Sequence, residues 1–373
     1  MTKAAELAKM GEVLTNSQIG GRRNIIINGA MQVAQRATSA TSVLASTAVI
    51  PACDRWMFEV SGSNTSGRLT VSQSTDTPNG FGNSLKLDVT TADTSIAADE
   101  FVSLVQRIEG QNLQQLKKGT SDAERVTLSF FAKGTAKKYA CGFYDVDNSR
   151  NVHAHFDVTT SWQRFIINFP ADTTGVFDND NAQSAFILFN LHAGTNFSSG
   201  TLNTTWQAND NTDRAAGIDS LLSSTDNELY ITGVQLEVGE QATPFEHRSF
   251  GEEMNLARRY YYQIGNTILP TSSSPPYGRM GQGQAISSTT GRVPFFFPQA
   301  MRAIPTATVS NIQIGDGATG AISLSSSGID TNTDSPDGVT IDFVVSSGLT
   351  TGQGCQAFQG NNSAGFVAFD AEL

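Results

Sequence analysis

Two histidines, His153 and His155, flank Ala154 in a stretch of strand character, so they share a face and have the spacing of two metal ligands. No third ligand with zinc-site spacing lies near them, and the pair reads as solvated strand histidines, with no metal assigned. Asp-rich turns recur at residues 145–148, 178–181 and 209–213. Oxygen ligands at alternate positions are what calcium requires, but none of these turns completes an Asp-x-Asp-x-Asp-Gly loop with a distal Glu. Asn and Asp in turns commonly satisfy their own backbone. Paired carboxylates of the glycosidase kind cannot be chosen among 35 acids. There is no GxSxG, HExxH, P-loop or strand-ending GxGxxG, so the sequence assigns no catalytic residue and no cofactor.

Aromatic residues offer a different chemistry, stacking on sugar rings. Trp56 and Trp162 sit in apolar, strand-like sequence and read as core. Trp206 lies between polar loop residues: exposed, its indole would stack on a sugar; buried, it would cap a sandwich, and the burial habit of Trp favours the cap. Tyr277 and Arg279, within PYGRMGQG, make the better contact loop. Trp206, Tyr277 and Arg279 are therefore the candidate carbohydrate-binding residues.

These side chains need a scaffold, and composition bounds it. The chain has 373 residues, which suggests two domains at about 150 residues each. Lys and Arg number 24 against 35 Asp and Glu, a net charge of -11, which argues against duplex nucleic acid or an anionic membrane as partner. No apolar run approaches a membrane span, and Glu6 and Lys9 interrupt the start where a secretory signal would be apolar. Only 16% of residues are charged, against roughly 25% in ordinary domains, and Gly is abundant at 34. Cys53, Cys141 and Cys355 are far apart and odd in number, so they read as buried reduced thiols of a chain made in the cytoplasm.

Periodicity then places the elements. Residues 4–14 have helical spacing and form a short helix if docked. Asn24 to Gly29 reads as a compact strand. Period-two alternation follows at Leu85/Leu87/Val89, Val126/Leu128/Phe130, Tyr139/Cys141/Phe143, Phe165/Ile167/Phe169 and Tyr230/Thr232/Val234/Leu236/Val238. Residues 186–189 are apolar on both faces, as in a central strand, and only residues 104–116 leave room for a helix. A two-sheet antiparallel sandwich over residues 23–248 accounts for this pattern. At Ser249 a capping-box spacing opens a linker helix over 249–265, with Phe250, Met254, Ala257, Tyr261 and Ile264 on one stripe as candidate oligomerisation contacts. A smaller C-terminal β-sandwich occupies 266–373, with strands near 293–297, 308–314, 322–324, 339–345 and 366–371.

Several segments taken together carry a resemblance: NIIINGAMQVAQR (24–36), DRW (54–56), VQRIEGQNL (105–113), VTLSF (126–130), YITGVQLEVG (230–239), ATPFEHRSFGEE (242–253) and RRYY (258–261). They resemble a family of bacteriophage and prophage tail-fibre or related virion structural proteins, whose central domain is similar to the jelly-roll of carbohydrate-binding modules. FVAFDAEL (366–373), VPF (293–295) and MRAIP (301–305) resemble fibre C-terminal domains more weakly. The resemblance implies an all-β, non-enzymatic virion component, commonly a homotrimer. It would attach through residues 1–22 to other virion proteins and present the 266–373 domain to a host surface glycan. A capsid decoration protein and a polysaccharide depolymerase are the alternatives.

Overall fold

The structure, a computed structural model, describes residue 3 and residues 23–44, 50–61, 66–265, 278–360 and 364–373. The helix expected at 4–14, the attachment segment 1–22 apart from residue 3, and Tyr277 lie outside the described residues. Contacts divide the chain into two units, Met1–Glu253 with Leu373, and Met254–Glu372.

The first unit carries β1 (Ser39–Val43), β2 (Met57–Ser61), β3 (Arg68–Ser74), β4 (Ser84–Thr91), β5 (Phe101–Glu109), β6 (Val126–Gly134), β7 (Lys137–Asp145), β8 (Arg150–Val158), β9 (Gln163–Phe169), β10 (Gln183–Ala193), β11 (Gln207–Ala208) and β12 (Glu228–Val238). They form two six-stranded antiparallel sheets, ordered β1-β3-β4-β12-β6-β9 and β11-β8-β7-β10-β5-β2, the jelly-roll sandwich. The inward positions are those the alternation marked: Leu87, Leu128, Phe130, Tyr139 and Phe143 are at most 1% exposed. Phe130 meets Phe156 and Phe189 edge-on at 5.1 and 5.0 Å. Each such buried ring contributes about 2–3 kcal/mol over an exposed one. The three cysteines are free and buried, as their spacing implied.

In the first unit the structure corrects the strand reading in three places. The first is 104–116, which is not a helix but the end of β5 followed by two 3-10 turns, Gly110–Asn112 and Gln114–Leu116. The second is β12, whose parity changes. Gly233, at φ +62, forms a bulge against β6, so Tyr230 and Thr232 face outward while Val234 and Leu236 face the core. The third is Asn24 to Gly29, which forms no regular strand: it bonds to the β12 backbone only at its ends, Ile25 to the Leu236 carbonyl at 2.9 Å and the Val234 amide to Gly29 at 3.0 Å, and side chains take up the backbone between. Asn24 and Ile27 donate to Glu246 Oε2 (2.7 Å) and Gln106 Oε1 (2.8 Å), Asn28 donates to Glu253, and Arg248 donates to the carbonyls of Asn24 and Ile26. The resemblance-bearing segments therefore meet in one buried polar lock.

The boundary helix α2 (Phe250–Arg258) follows the four-residue helix α1 (Thr195–Ser198). Ser249 Oγ accepts the Glu252 amide at 3.3 Å, the cap that the spacing implied. The expected helix over 249–265 is too long by two turns. Residues Tyr261–Gly265 form β13, paired with β22 (Phe366–Asp370). Tyr262 lies parallel to Phe369 at 6.3 Å, so long-range pairing overrides the helical period.

The second unit adds β14 (Arg279–Ala285), β15 (Thr290–Phe296), β16 (Thr306–Ser310), β17 (Ile312–Asp316), β18 (Ile322–Ser323), β19 (Ser326–Ile329), β20 (Gly338–Val344) and β21 (Gly354–Gln359). A three-stranded sheet, β13-β22-β16, and a seven-stranded one, β18-β17-β21-β14-β15-β20-β19, enclose one core around Phe295, Ile314, Ile341, Phe343 and Phe369. The two edge strands of the larger sheet, β18 and β19, are consecutive in sequence and separated only by Leu324 and Ser325. The sheet thus curls until its edges are joined by a short seam.

Candidate functional site

Strand pairing fixes which side chains stand on the outer face of that curled sheet. Met280, Ile312, Ile314 and Ala357 point into the core, which turns their neighbours outward. Arg279 pairs with Phe358, Phe358 with Gln313, and Gln313 with Ser323. Directly opposed residues share a face, so Arg279, Phe358, Gln313 and Ser323 form a row across four strands. Adjacent strands lie about 4.8 Å apart, which sets Arg279 roughly 10 Å from Gln313.

Beside this row lies a groove of about 420 Å³, lined by Val309, Asn311, Ile312, Gln313, residues 323–327 and Gly360. Its size falls within the usual range for small-ligand sites, about 300–1,000 Å³. None of its lining residues is charged; it offers amides, serine hydroxyls and a few apolar carbons. Ser323, Ser325, Ser326 and Ser327 are exposed. Gln313 Nε2 donates to Ser323 Oγ at 3.2 Å, which orients the amide. Asn311, at φ 51, breaks the chain between β16 and β17, and a Cβ on Gly360 would stand 2.7 Å from Gln313 Cγ. Amide and hydroxyl groups that both donate and accept, beside apolar carbon, are suited to a neutral polyhydroxylated ligand.

The residues singled out in the sequence fall in different units. Arg279 is exposed at one end of the row. Trp206 belongs to the first unit and caps its core, half-buried: Nε1 donates to the Pro170 carbonyl at 2.8 Å, and Phe143 packs edge-on at 5.4 Å. Lys118 stands 5.2 Å over the Trp206 ring and is itself buried between Asp145 and Asp172, with Arg150 completing the network on Asp172. Burial works against the charge on Asp172, but hydrogen bonds from Arg150 and Lys118 outweigh it and hold the carboxyl below its usual range. Both carboxylates are thus ion-paired with buried or half-buried cations.

Trp162 is not core, contrary to the sequence reading. Phe165 faces inward, and the parity of β9 therefore turns Trp162 out. Its Nε1 donates to Asp76 Oδ1 at 3.1 Å, and the Lys133 ammonium lies 5.6 Å from its ring and 4.8 Å from that of Tyr230. Lys133 pairs with Asp76, and Lys86 with Asp88 and Glu228 at 3.1 Å each, so this aromatic row is already internally paired.

The histidine pair is also corrected. His155 is exposed, with Nε2 2.8 Å from the Ala216 carbonyl, but His153 is 1% exposed and neither ring nitrogen has a hydrogen-bond partner. The segment between α1 and Ser220 lies over this part of the sheet: the Asn203 carbonyl accepts the His153 amide at 2.6 Å, and Asn190 Nδ2 donates to the Arg214 carbonyl at 2.6 Å. The pairing of His153 with solvent is thereby prevented. The oligomerisation stripe divides as well: Phe250 is 56% exposed and Met254 half-buried, whereas Ala257 and Tyr261 are buried and Ile264 packs on the second core. The chain at 145–148, 178–181 and 209–213 does satisfy its own turns, as in Asp180 Oδ1 accepting the Ala182 amide and Asp210 Oδ1 the Thr212 amide, both at 2.9 Å.

No protein-family model matches the chain, and no curated protein matches it. Among solved structures it is similar to the enzymatically active domain of bacteriophage CBA120 tailspike protein 4, with 13% identity over 58% of this chain and a TM-score of 0.31. The chain spans about a fifth of that protein, 21% of its length. It is also similar to a CBM4 structure, with 12% identity, 57% and 98% coverage and a TM-score of 0.29. A third is the family 11 carbohydrate-binding module of a Clostridium thermocellum cellulase, with 13% identity, 56% and 100% coverage and a TM-score of 0.27.

Proposed function

We propose that this protein binds a neutral glycan without cleaving it, through the uncharged seam groove of the second unit and the adjoining Arg279–Phe358–Gln313–Ser323 row. The observation that carries the reading is the groove itself: a ligand-sized cavity lined by amides and hydroxyls, with no charged side chain to act as acid, base or nucleophile. Its apolar lining carbons and Phe358 supply the surface on which a sugar ring packs, while Asn311, Gln313 and the serines match hydroxyls in either donor or acceptor sense. The finer reading is a virion fibre or spike that presents this unit to host surface glycan, assembled as a trimer. Its support is the sequence resemblance, together with a composition poor in charge and rich in polar, uncharged residues.

The test passes the full chain over immobilised neutral bacterial polysaccharides and assays the same samples for new reducing ends. Retention without reducing ends is expected, and release of reducing ends would instead make the protein a depolymerase. Retention unchanged by Gln313→Ala and Asn311→Ala would remove the groove from the account.

A further inference from the structure

A separate cluster belongs to the first unit. Asp93 and Glu100 stand on the β4–β5 connection and His192 on β10; all three are buried, and one ligand atom from each lies within 4.8 Å of the others. His192 Nδ1 lies 2.7 Å from Ser220 Oγ, which also accepts the Leu222 amide at 3.1 Å. Nε2 is thereby aimed at Glu100 Oε2, 3.2 Å away. A serine, a histidine and a glutamate in line suggest a nucleophilic relay. However, His192 has no exposed surface, and Ser220 Oγ is engaged as the cap of the turn Leu221–Ser223. Ser220 is half-buried and its Oγ already accepts a backbone amide, while the ring beside it has no open side, so the trio is better placed to hold a ligand than to launch a nucleophile.

We propose that Asp93, Glu100 and His192 bind one divalent transition-metal ion, of which zinc is the natural probe, as a structural site. An imidazole nitrogen with two carboxylates is a donor set for zinc or manganese more than for calcium or magnesium, which prefer oxygen alone. Donors about 2.1 Å from a tetrahedral centre stand about 3.4 Å apart, so atoms spread over up to 4.8 Å must close by as much as about 1.4 Å through side-chain rotation. Ser220 is then the outer partner that fixes the imidazole orientation. The frame is already built: Gly194 N donates to the Glu100 carbonyl at 2.8 Å, Asn196 N to that of Ala98 at 2.9 Å, and Asp93 N to that of Leu222 at 2.7 Å.

The full chain, stripped with a chelator, is titrated with zinc, manganese and calcium while its melting temperature is recorded. Zinc at a hundredfold excess over Kd is expected to raise the melting temperature of the metal-stabilised unit by about 5 °C, with calcium giving less. Glu100→Gln is expected to lose most of that shift. Metal content after gel filtration gives a readout that survives a poorly folding variant: wild type should retain one equivalent, and X-ray absorption should show nitrogen and oxygen donors. No retained zinc, sulfur donors, or an undiminished shift in Glu100→Gln would overturn the site.

Discussion

His153 is held without a hydrogen bond to either ring nitrogen, and burial, with the nearby Arg214 charge, pushes its pKa down to about 3. The unfolded chain takes up this proton below about 6.5, while the folded chain refuses it until about pH 3. Its contribution is therefore complete above pH 6.5 and is lost as pH falls, at about 1.4 kcal/mol per unit. Urea unfolding at pH 7 and pH 5 should show wild type losing about 2 kcal/mol more than His153→Leu. Equal losses would mean that the ring opens to water. Asn28 has the opposite character: Nδ2 donates to the carbonyls of Val33 (2.8 Å) and Asp54 (2.9 Å), and Oδ1 accepts the Val33 amide at 2.9 Å. Asn28→Ala should cost about 3–5 kcal/mol in the same assay, since three buried bonds lose their partner at once. At this scale the sequence was only partly legible. Arg279 could be chosen from its loop, but Gln313 and Phe358 reach its row only through strand register. Asp93, Glu100 and His192 are likewise gathered by long-range pairing that leaves no linear spacing to read.

Strands were more legible than single sites, because period-two alternation is a local signal whenever one face is buried. The inward residues of β4, β6 and β7 follow it directly. It fails where one residue changes parity or where side chains replace a neighbouring strand, as at Gly233 and at Asn24 to Gly29. A Cβ on Gly233 would stand 2.7 Å from the Phe81 ring, and its positive φ disfavours any L side chain. Gly233→Ala should therefore destabilise the first unit by about 2–3 kcal/mol in thermal or urea unfolding. A neutral effect would mean that the bulge relaxes. The helix after Ser249 was found by its cap, but its end was misplaced, because the period of 260–264 fits a strand as well as a helix and only pairing with β22 decides.

The chain divides at Glu253 and Met254 into two units, each with its own core. The proposed trimer belongs to this scale, and the exposed Phe250 with half-buried Met254 is what remains of the apolar stripe for a partner copy. Light scattering should give three chain masses for wild type and one for Phe250→Asp, whereas Tyr261→Asp would damage the chain's own sheet. A monomeric wild type would contradict the assembly. The most direct test of the account is calorimetric titration of the full chain with the neutral polysaccharide that retains it, beside Gln313→Ala and Trp206→Ala. The account predicts saturable binding weakened at least tenfold by Gln313→Ala, about 1.4 kcal/mol, and unaltered by Trp206→Ala in protein that remains folded. Binding indifferent to Gln313 would contradict it.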